Sequence, residues 1–338
     1  MQEQPLVSLL IISYNQKAYI CDCMEGLLAQ TYPNLEILYL DDCSPDQTFE
    51  VAIQYENILR QKYGDGRIRF IENRENQGLI KNLNRLVAES TGDYVKFMSV
   101  DDFMFADAVE KIVMCMEAHP EYDMLYTNGI YGDDSVHFSA EFMRTSAGMD
   151  KADGGSVASN ASDLNRLYDG IQPSGSGQRL FEELYHRDFI AAPTVIVRRN
   201  VYERCGMYDD RIGIEDWDFY LRIAEKGCIG YLDEVTVMYR FTNDSLSHSD
   251  NPVRRMNMQK SMLLIREKYK DKVKGSREMI GSSLNEAFQD AVHIGNEEYF
   301  RFLREYAGRN CVRISRMNRM RYLLYRMHIL KVLKDLGC

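Results

Sequence analysis

The chain has 338 residues, 45% of them hydrophobic and 27% charged, which is ordinary globular usage and excludes disordered, collagen-like and porin-like chains. Its formal net charge of -10 argues against a general nucleic-acid binder, which needs a basic face to displace counterions from phosphates. The length accommodates one α/β domain of about 250 residues with a smaller appendage.

Charge is unevenly spread. Residues 301–338 carry ten Lys or Arg against Glu305 and Asp335, so a basic tail follows an acidic body. The eight cysteines include no CxxC pair and no histidine at zinc-finger spacing, which predicts reduced thiols in the cytoplasm. The start, MQEQPLVSLLIISYN, has no basic leader, and no stretch approaches ~20 apolar residues. The expectation is a soluble protein, or at most one lying on the inner face of the cell membrane.

In chain order, Leu6 to Ser13 is a continuous apolar run ending in Tyr14-Asn15, followed by a helical pattern through Cys21, Met24, Leu27 and Leu28. This reads as a strand buried on both faces, a loop and a helix. Glu36 to Leu40 predicts a second strand, broken by Asp41-Asp42-Cys43-Ser44-Pro45, with one long helix from about Gln47 to Tyr63. Arg67 to Glu72 is a third strand, Asn76-Gln77-Gly78 opens a helix over about Leu79 to Ser90, and Tyr94 to Ser99 is a fourth strand that stops at Asp101-Asp102. Strands alternating with helices at this spacing imply right-handed βαβ crossovers and a mostly parallel, Rossmann-like α/β sheet. Ligands of such sheets bind outside the carboxyl ends of the strands, so Asn15, Asp42, Asn76 and Asp101 are expected to face one cleft.

Met124 to Tyr131 reads as a fifth strand. From about Gly132 to Gln178 the sequence turns polar and glycine-rich, the composition of a mobile loop, expected to cover the cleft when ligands bind. Order resumes at Ile190-Ala191-Ala192-Pro193-Thr194 and the strand after it. Gly213-Ile214-Glu215-Asp216-Trp217-Asp218 leads into an amphipathic helix, and after Pro252 the rest reads as helices. The predicted division is a catalytic domain over 1–252 and a helical region over 253–338.

Four acidic or basic groups carry candidate chemistry. Asp101-Asp102 closes a rigid strand, where a carboxylate can hold a divalent metal against a departing diphosphate; the competing reading is a helix N-cap with a flanking acid. Asp41-Asp42 suits charge-assisted hydrogen bonds to a base or ribose, or equally an Asx turn around Ser44-Pro45-Asp46. Glu215-Asp216 at a helix mouth suits a general base for an attacking hydroxyl, or a plain helix-start acid. His248 is a candidate for metal or diphosphate, or an idle loop histidine.

It is the order of these motifs that identifies them. Val7-Ser8-Leu9-Leu10-Ile11-Ile12-Ser13-Tyr14-Asn15, Gln30-Thr31-Tyr32-Pro33-Asn34, Asp41-Asp42-Cys43-Ser44, Asn76-Gln77-Gly78 with Asn84, Ser99-Val100-Asp101-Asp102, Pro193-Thr194 and Glu215-Asp216-Trp217-Asp218 together resemble glycosyltransferase family 2, inverting enzymes of GT-A fold, over roughly residues 5–250. The resemblance implies that Ser13, Tyr14 and Asn15 cradle the nucleoside, Asp42 binds the base, and Asn76 and Lys81 lie near the nucleotide. It implies that Asp101 contacts ribose or donor sugar and Asp102 ligates Mn²⁺ or Mg²⁺, with His248 as a looser counterpart. Asp216 becomes the catalytic base and Glu215 its neighbour on donor or acceptor.

The implied partners are a nucleotide-sugar donor, UDP-linked in most of the family, and a saccharide or lipid-linked acceptor. The chain departs from the family in carrying Ser-Val-Asp-Asp for Asp-x-Asp and Asn82-Leu83 for the common Ala-Arg pair. A non-catalytic nucleotide-sugar binder is the rival of another class. A sugar nucleotidylyltransferase lacks its glycine-rich N-terminal loop here. For the tail, Tyr322 through Leu333 mixes aliphatic, aromatic and basic residues, which suits an anionic membrane surface, the acidic body of the protein, or a second subunit.

Overall fold

The computed structural model describes residues 4–133, 162–163, 174–242 and 251–327. The chain divides into two compact units, one running to Asp210 and resuming over Glu215–Thr242, the other comprising Arg211–Ile214 and the residues after Thr242.

The first unit is built on β1 (Val7–Ser13), a run of seven residues buried on both faces. Such a strand must lie inside a sheet covered on each side, and here it pairs in parallel with β2 (Leu35–Asp41), equally buried throughout. The crossover between them is α1 (Ile20–Ala29), whose buried side includes Ile20, Cys23, Met24 and Leu27. Next come α2 (Thr48–Ala52) and α3 (Glu56–Tyr63), separated by a 3-10 turn over Ile53–Tyr55, so the single helix read from the sequence is in fact broken. Then follow β3 (Ile68–Glu72), α4 (Leu79–Glu89) and β4 (Tyr94–Ser99), with β2 pairing β3 and β1 pairing β4, all parallel.

The remaining strands complete a ten-stranded mixed sheet. They are β5 (Phe103–Met104), β6 (Met124–Asp133), β7 (Ser162–Asp163), β8 (Gly175–Ser176), β9 (Ile196–Arg198) and β10 (Cys228–Phe241), in the order β3-β2-β1-β4-β9-β6-β10-β5, with β7 on β6 and β8 on β10. The short β9 runs antiparallel to both β4 and β6, which therefore run in the same direction as each other. Between these strands stand α5 (Ala108–Ala118), α6 (Gln178–His186), α7 (Asn200–Cys205) and α8 (Glu215–Lys226).

The amino ends of the central strands are locked by a buried carboxylate. Glu36 of β2 accepts from the Ser8 hydroxyl at 2.5 Å, the Thr91 amide at 2.8 Å and the Thr91 hydroxyl at 3.0 Å. Ser8 in turn accepts from the Gly92 amide at 2.8 Å, which draws the turn before β4 against β1. A side chain at position 92 has no room there, since a Cβ would lie 2.7 Å from the Ser8 nitrogen and 2.8 Å from the Leu6 oxygen. This network fixes the β1, β2, β4 register from one end, and the carboxyl ends inherit it.

The second unit holds α9 (Pro252–Tyr269), α10 (Ser276–Ile294), α11 (Glu297–Arg309) and α12 (Arg316–Arg326). Side chains cap three of the four: Asn251 accepts from the Val253 and Arg254 amides, Asn296 from Tyr299 and Ser315 from Asn318. Gly295, at φ 68°, ends α10 in the left-handed conformation that favours glycine. Leu263, Leu284, Phe288, Phe300, Leu303 and Tyr306 form its core. Among the described residues no helix is long and apolar enough to cross a membrane.

Gly92→Ala is expected to destabilise the protein by about 1–3 kcal/mol, the usual cost of forcing atoms into a packed interior. Urea denaturation checks this, and an unchanged midpoint would show that the Ser8–Gly92 contact is not rigid.

Candidate active site

Each crossover delivers a polar group to the carboxyl edge of the sheet. β1 ends at Ser13, whose hydroxyl lies 2.6 Å from the Tyr39 hydroxyl and donates to Asp41 at 2.8 Å. Asp41 also accepts from the Ser44 amide at 2.8 Å and the Ser44 hydroxyl at 2.6 Å, so it folds the loop after β2. Asn15, at φ 56°, and Cys43, at φ 64°, both sit in the left-handed region, and the Asn15 amide donates to Ser44 at 2.9 Å. Two non-glycine residues held in that region on facing loops are a device of ligand-binding edges. Tyr14, the residue before Asn15, is half exposed.

Asp42 is buried and serves the next crossover. Its carboxylate accepts from the Gln77 amide, the Gly78 amide and the Asn73 side chain, each at 2.8 Å. Burial pushes its pKa up, but the Gln77 amide, the Asn73 and Asn82 side chains and the Gly78 amide outweigh that and hold it below the usual carboxylate range. Gly78 reaches Asp42 only at φ 82°, and α4 starts at the next residue. Asp42 therefore sets where α4 begins. Asn76 and Lys81 are both exposed beside it. Further along α4, Asn84 exchanges two 2.9 Å hydrogen bonds with the backbone of Tyr208.

At the end of β4, Asp101 and Asp102 turn into the structure. One Asp101 oxygen is buried without a hydrogen-bond partner. Asp102, only 3% exposed, accepts from the Arg240 amide at 3.2 Å. Burial pushes Asp102 well above the usual carboxylate range; Asp101 adds to the rise, and Arg240 and Lys96 oppose it. Burial raises Asp101 as well, against a hydrogen bond from Ser99. Two adjacent buried acids with an unpartnered oxygen fit a divalent cation, which would remove the mutual repulsion. The described protein residues offer no group of three or more His, Cys, Asp or Glu, so a bound ligand would have to complete such a shell.

A second acidic group lies where α8 begins. Glu215 and Asp216 line a small cavity of about 20 Å³ with Leu83, Val95, Val195, Tyr208 and Tyr220, room for one water-sized group. Burial pushes Glu215 up to about 8, aided by Asp216, and raises Asp216 despite a 2.8 Å bond from the Trp217 amide. Asp188 joins this group: burial, then Asp216 and Glu215, hold it well above the ordinary range. Trp217 and Asp218 are structural, the indole donating to Leu184 at 2.7 Å and the carboxylate pairing with Arg222 at 3.0 Å.

Lys96 interacts with Asp102 of the first group and with the Val195 carbonyl at the second cavity. It points out of β4 into the interior, 1% exposed, and donates to the carbonyls of Pro193 and Val195. Asp102 acts on it from one side, while Ala192 and Val195 line the Asp216 cavity on the other. Burial lowers its pKa to about 7, with Asp102 opposing.

Of the residues singled out in the sequence, the structure thus gathers Ser13, Asn15 and Asp42 on one loop cluster, Asp101 and Asp102 at the end of β4, and Glu215 and Asp216 on a cavity. His248 and most of segment 132–178 lie outside the described residues. Lys96, Asp188 and Arg240 were missed. A lysine inside Tyr94-Val95-Lys96-Phe97-Met98 was the available signal for the first; nothing in the pattern marks the other two.

The sequence model of glycosyl transferase family 2 matches residues 8–170, a range that includes β1 through β7. Over those residues the chain carries a glycosyl transferase family 2 domain. Its fold is that of GT-A glycosyltransferases, a curled mixed sheet flanked by helices. Among similar proteins, putative glycosyltransferase EpsE of Bacillus subtilis is 34% identical over 134 residues, 40% of this chain and 46% of that one. The chain thus spans about half the length of that relative. S. aureus TarS 1-349, solved in complex with UDP-GlcNAc, superposes with a TM-score of 0.59 at 16% identity over 90% of this chain and 80% of that one. Mannosyltransferase PcManGT from Pyrobaculum calidifontis, solved with GDP-Man and Mn²⁺, gives 0.53 at 14% identity over 99% and 88%.

Asp42 must be ionised to hold three donors, so its contribution is present above the unfolded-state pKa and is lost as pH falls through its lowered native value. Asp42→Ala is expected to cost roughly 1.5–3 kcal/mol, the worth of hydrogen bonds to a charged group. That cost should shrink in acid, when stability is measured from pH 7 down to pH 3; a cost independent of pH would contradict the assignment.

Proposed function

We propose that the chain transfers a sugar from a nucleotide-diphosphate donor to a hydroxyl of a saccharide or lipid-linked acceptor, with inversion at the anomeric carbon. The observation carrying this reading is the pairing, in a chain with a family 2 domain, of two clusters of acids whose pKa values burial raises, Asp101 with Asp102 and Asp188 with Glu215 and Asp216. One suits a cation and a diphosphate, the other a proton.

In this reading Ser13, Tyr14 and Asn15 form the wall for the nucleoside. Asp42, Asn76 and Lys81 border the base and phosphates, Asp42 by fixing the Gln77–Gly78 turn. Asp101 faces ribose or donor sugar with its unpartnered oxygen. Asp102 would hold Mn²⁺ or Mg²⁺, with His248 as a further candidate, and the cation when bound neutralises the charge gathering on the diphosphate. UDP and GDP donors are both represented among the structural neighbours, and UDP is the donor we favour.

Asp216 takes the proton of the acceptor hydroxyl as that oxygen forms its bond to the anomeric carbon and the bond to the diphosphate breaks. The cavity beside it admits one oxygen rather than a sugar ring, so the acceptor presents a single hydroxyl there. Burial serves this role, because a base whose pKa is raised toward the working pH accepts a proton more readily. Burial is what raises Asp216, and Asp216 in turn raises its neighbours Glu215 and Asp188. In this reading residues 1–252 constitute the catalytic domain and 253–338 a separate helical region.

The test is release of nucleoside diphosphate from UDP- and GDP-sugars with Mn²⁺. Turnover is expected in the native protein, with a loss of about 10²–10⁴-fold in Asp216→Asn, the range for removing a general base. Asp102→Asn should remove the dependence on added metal. Native binding of nucleotide sugar without any turnover would favour a non-catalytic binder.

The ascending limb of kcat/KM against pH is expected above the range of an exposed aspartate, since Asp216 must lose its proton to act and burial opposes that. A limb near pH 4 would contradict Asp216 as base. With an α-linked donor, NMR of the product should show a β-glycoside, and an α-glycoside would exclude a single displacement.

A further inference from the structure

The last described helix, α12, is amphipathic in an unusual sense, because both of its long faces carry apolar side chains. One face is inward. Tyr322 and Tyr325 pack on Phe300 with ring centroids 4.8 and 5.2 Å apart, and Asn318 donates to the Asn285 carbonyl at 2.8 Å. At about 100° per residue these three positions fall within a narrow arc.

The opposite arc holds Met317, Met320, Leu323 and Met327, exposed by 58%, 56%, 60% and 66%. Exposed apolar residues are normal when scattered, but four on one helix face opposite the packed face form a continuous stripe. This is half of the exposed large hydrophobics among the described residues, concentrated in eleven positions. Helix packing does not require them, since the inward face already anchors α12.

Charge decides what fits that stripe. Residues 311–327 contain Arg313, Arg316, Arg319, Arg321 and Arg326 and no acid. On the helix wheel Arg319 and Arg326 fall on one side of the stripe and Arg321 on the other, while Arg316 falls within it at the first turn, so guanidinium groups accompany the apolar face. Arginine can lay its aliphatic stem along an apolar surface while its charged head reaches outward. A second copy of the same helix would bring arginine against arginine. An anionic bilayer accepts both features at once: acyl chains take Met and Leu, and lipid phosphates take the guanidinium groups.

We propose that α12 lies in the plane of an anionic membrane, with Met317, Met320, Leu323 and Met327 in the acyl boundary and the bordering arginines at the headgroups. The sequence left a lipid surface, the body of the protein and a second subunit as alternatives for this region; the arrangement of α12 favours the first. The inference stands apart from the donor chemistry, since it draws only on the helical unit. Residues beyond 327 continue with Lys331 and Lys334 in the same basic segment.

The test is sedimentation of the full chain with vesicles of neutral phosphatidylcholine alone and of phosphatidylcholine with one third phosphatidylglycerol. Binding to the anionic vesicles is expected, at least tenfold weaker on neutral ones and weakened by 0.5 M salt. The variant Met320→Glu with Leu323→Glu should lose at least tenfold of the anionic-vesicle binding. Its thermal midpoint and its release of nucleoside diphosphate in detergent-free solution should stay unchanged, because both positions are exposed. The proposal is overturned if the native chain ignores anionic vesicles or if the double variant binds them as well as the native chain. It is equally overturned if light scattering shows a native dimer that the variant converts to monomer while vesicle binding persists. Failure of nucleotide-sugar turnover would leave the vesicle result intact, so the two readings fail separately.

Discussion

The structure depends on acidic side chains that the protein buries without fully neutralising. Asp101 leaves one oxygen unpartnered, Asp102 is pushed well above its ordinary range, and Asp188, Glu215 and Asp216 crowd a second position. Burying an uncompensated carboxylate costs several kcal/mol or forces it to take up a proton. Folding alone gives no reason to keep such groups together. Strongly perturbed acids in a cleft are instead what a site for a cation, a diphosphate and a proton requires.

The fold bears that cost at the other end of the sheet. Glu36 is also a buried carboxylate, but three donors from Ser8 and Thr91 satisfy it, and it ties β1, β2 and the turn before β4 into one register. Asp41 and Asp42 are satisfied in the same manner and shape the loops after β2 and β3. Acids of equal appearance in the sequence thus divide into those whose donors the protein supplies and those, such as Asp101, that it leaves short of partners. Lys96 and Asn84 then link β4 and α4 to the lining of the Asp216 cavity, through Val195 and Tyr208 respectively.

Much of this was legible in the sequence, for identifiable reasons. β1, β2 and β4 are central, so burial on both faces left continuous apolar runs with sharp ends. The polar residues after those runs had to lie on one edge, whatever the rest of the chain did. The fourteen-residue β10 was not legible, because Asp233 and Glu234 interrupt it and its pairing with β6 shifts register between Leu232 and Val237. A strand with such irregularities shows no period of two. The helix from Gln47 to Tyr63 is really two with a tight turn between them, a distinction that periodicity cannot register. Asp42 illustrates the deeper limit: its three donors come from residues over thirty positions away, and no local pattern marks it as the residue that starts α4. Asp188 carries no motif at all and enters the site only through the folding of α6 and α8 around it.

The central claim is that Asp101 and Asp102 remain incomplete until a cation and a diphosphate arrive together. Differential scanning calorimetry tests it directly, comparing Mn²⁺ alone, UDP or GDP alone, and each nucleotide with Mn²⁺, in the native chain and in Asp102→Asn. A ligand that binds only the folded state raises its stability by about 2.7 kcal/mol at a hundred times its Kd. The account requires a rise in Tm for metal and nucleotide together that exceeds the sum of the separate effects, and its disappearance in Asp102→Asn. Equal rises in the native and substituted proteins, or no rise with any combination, would contradict it.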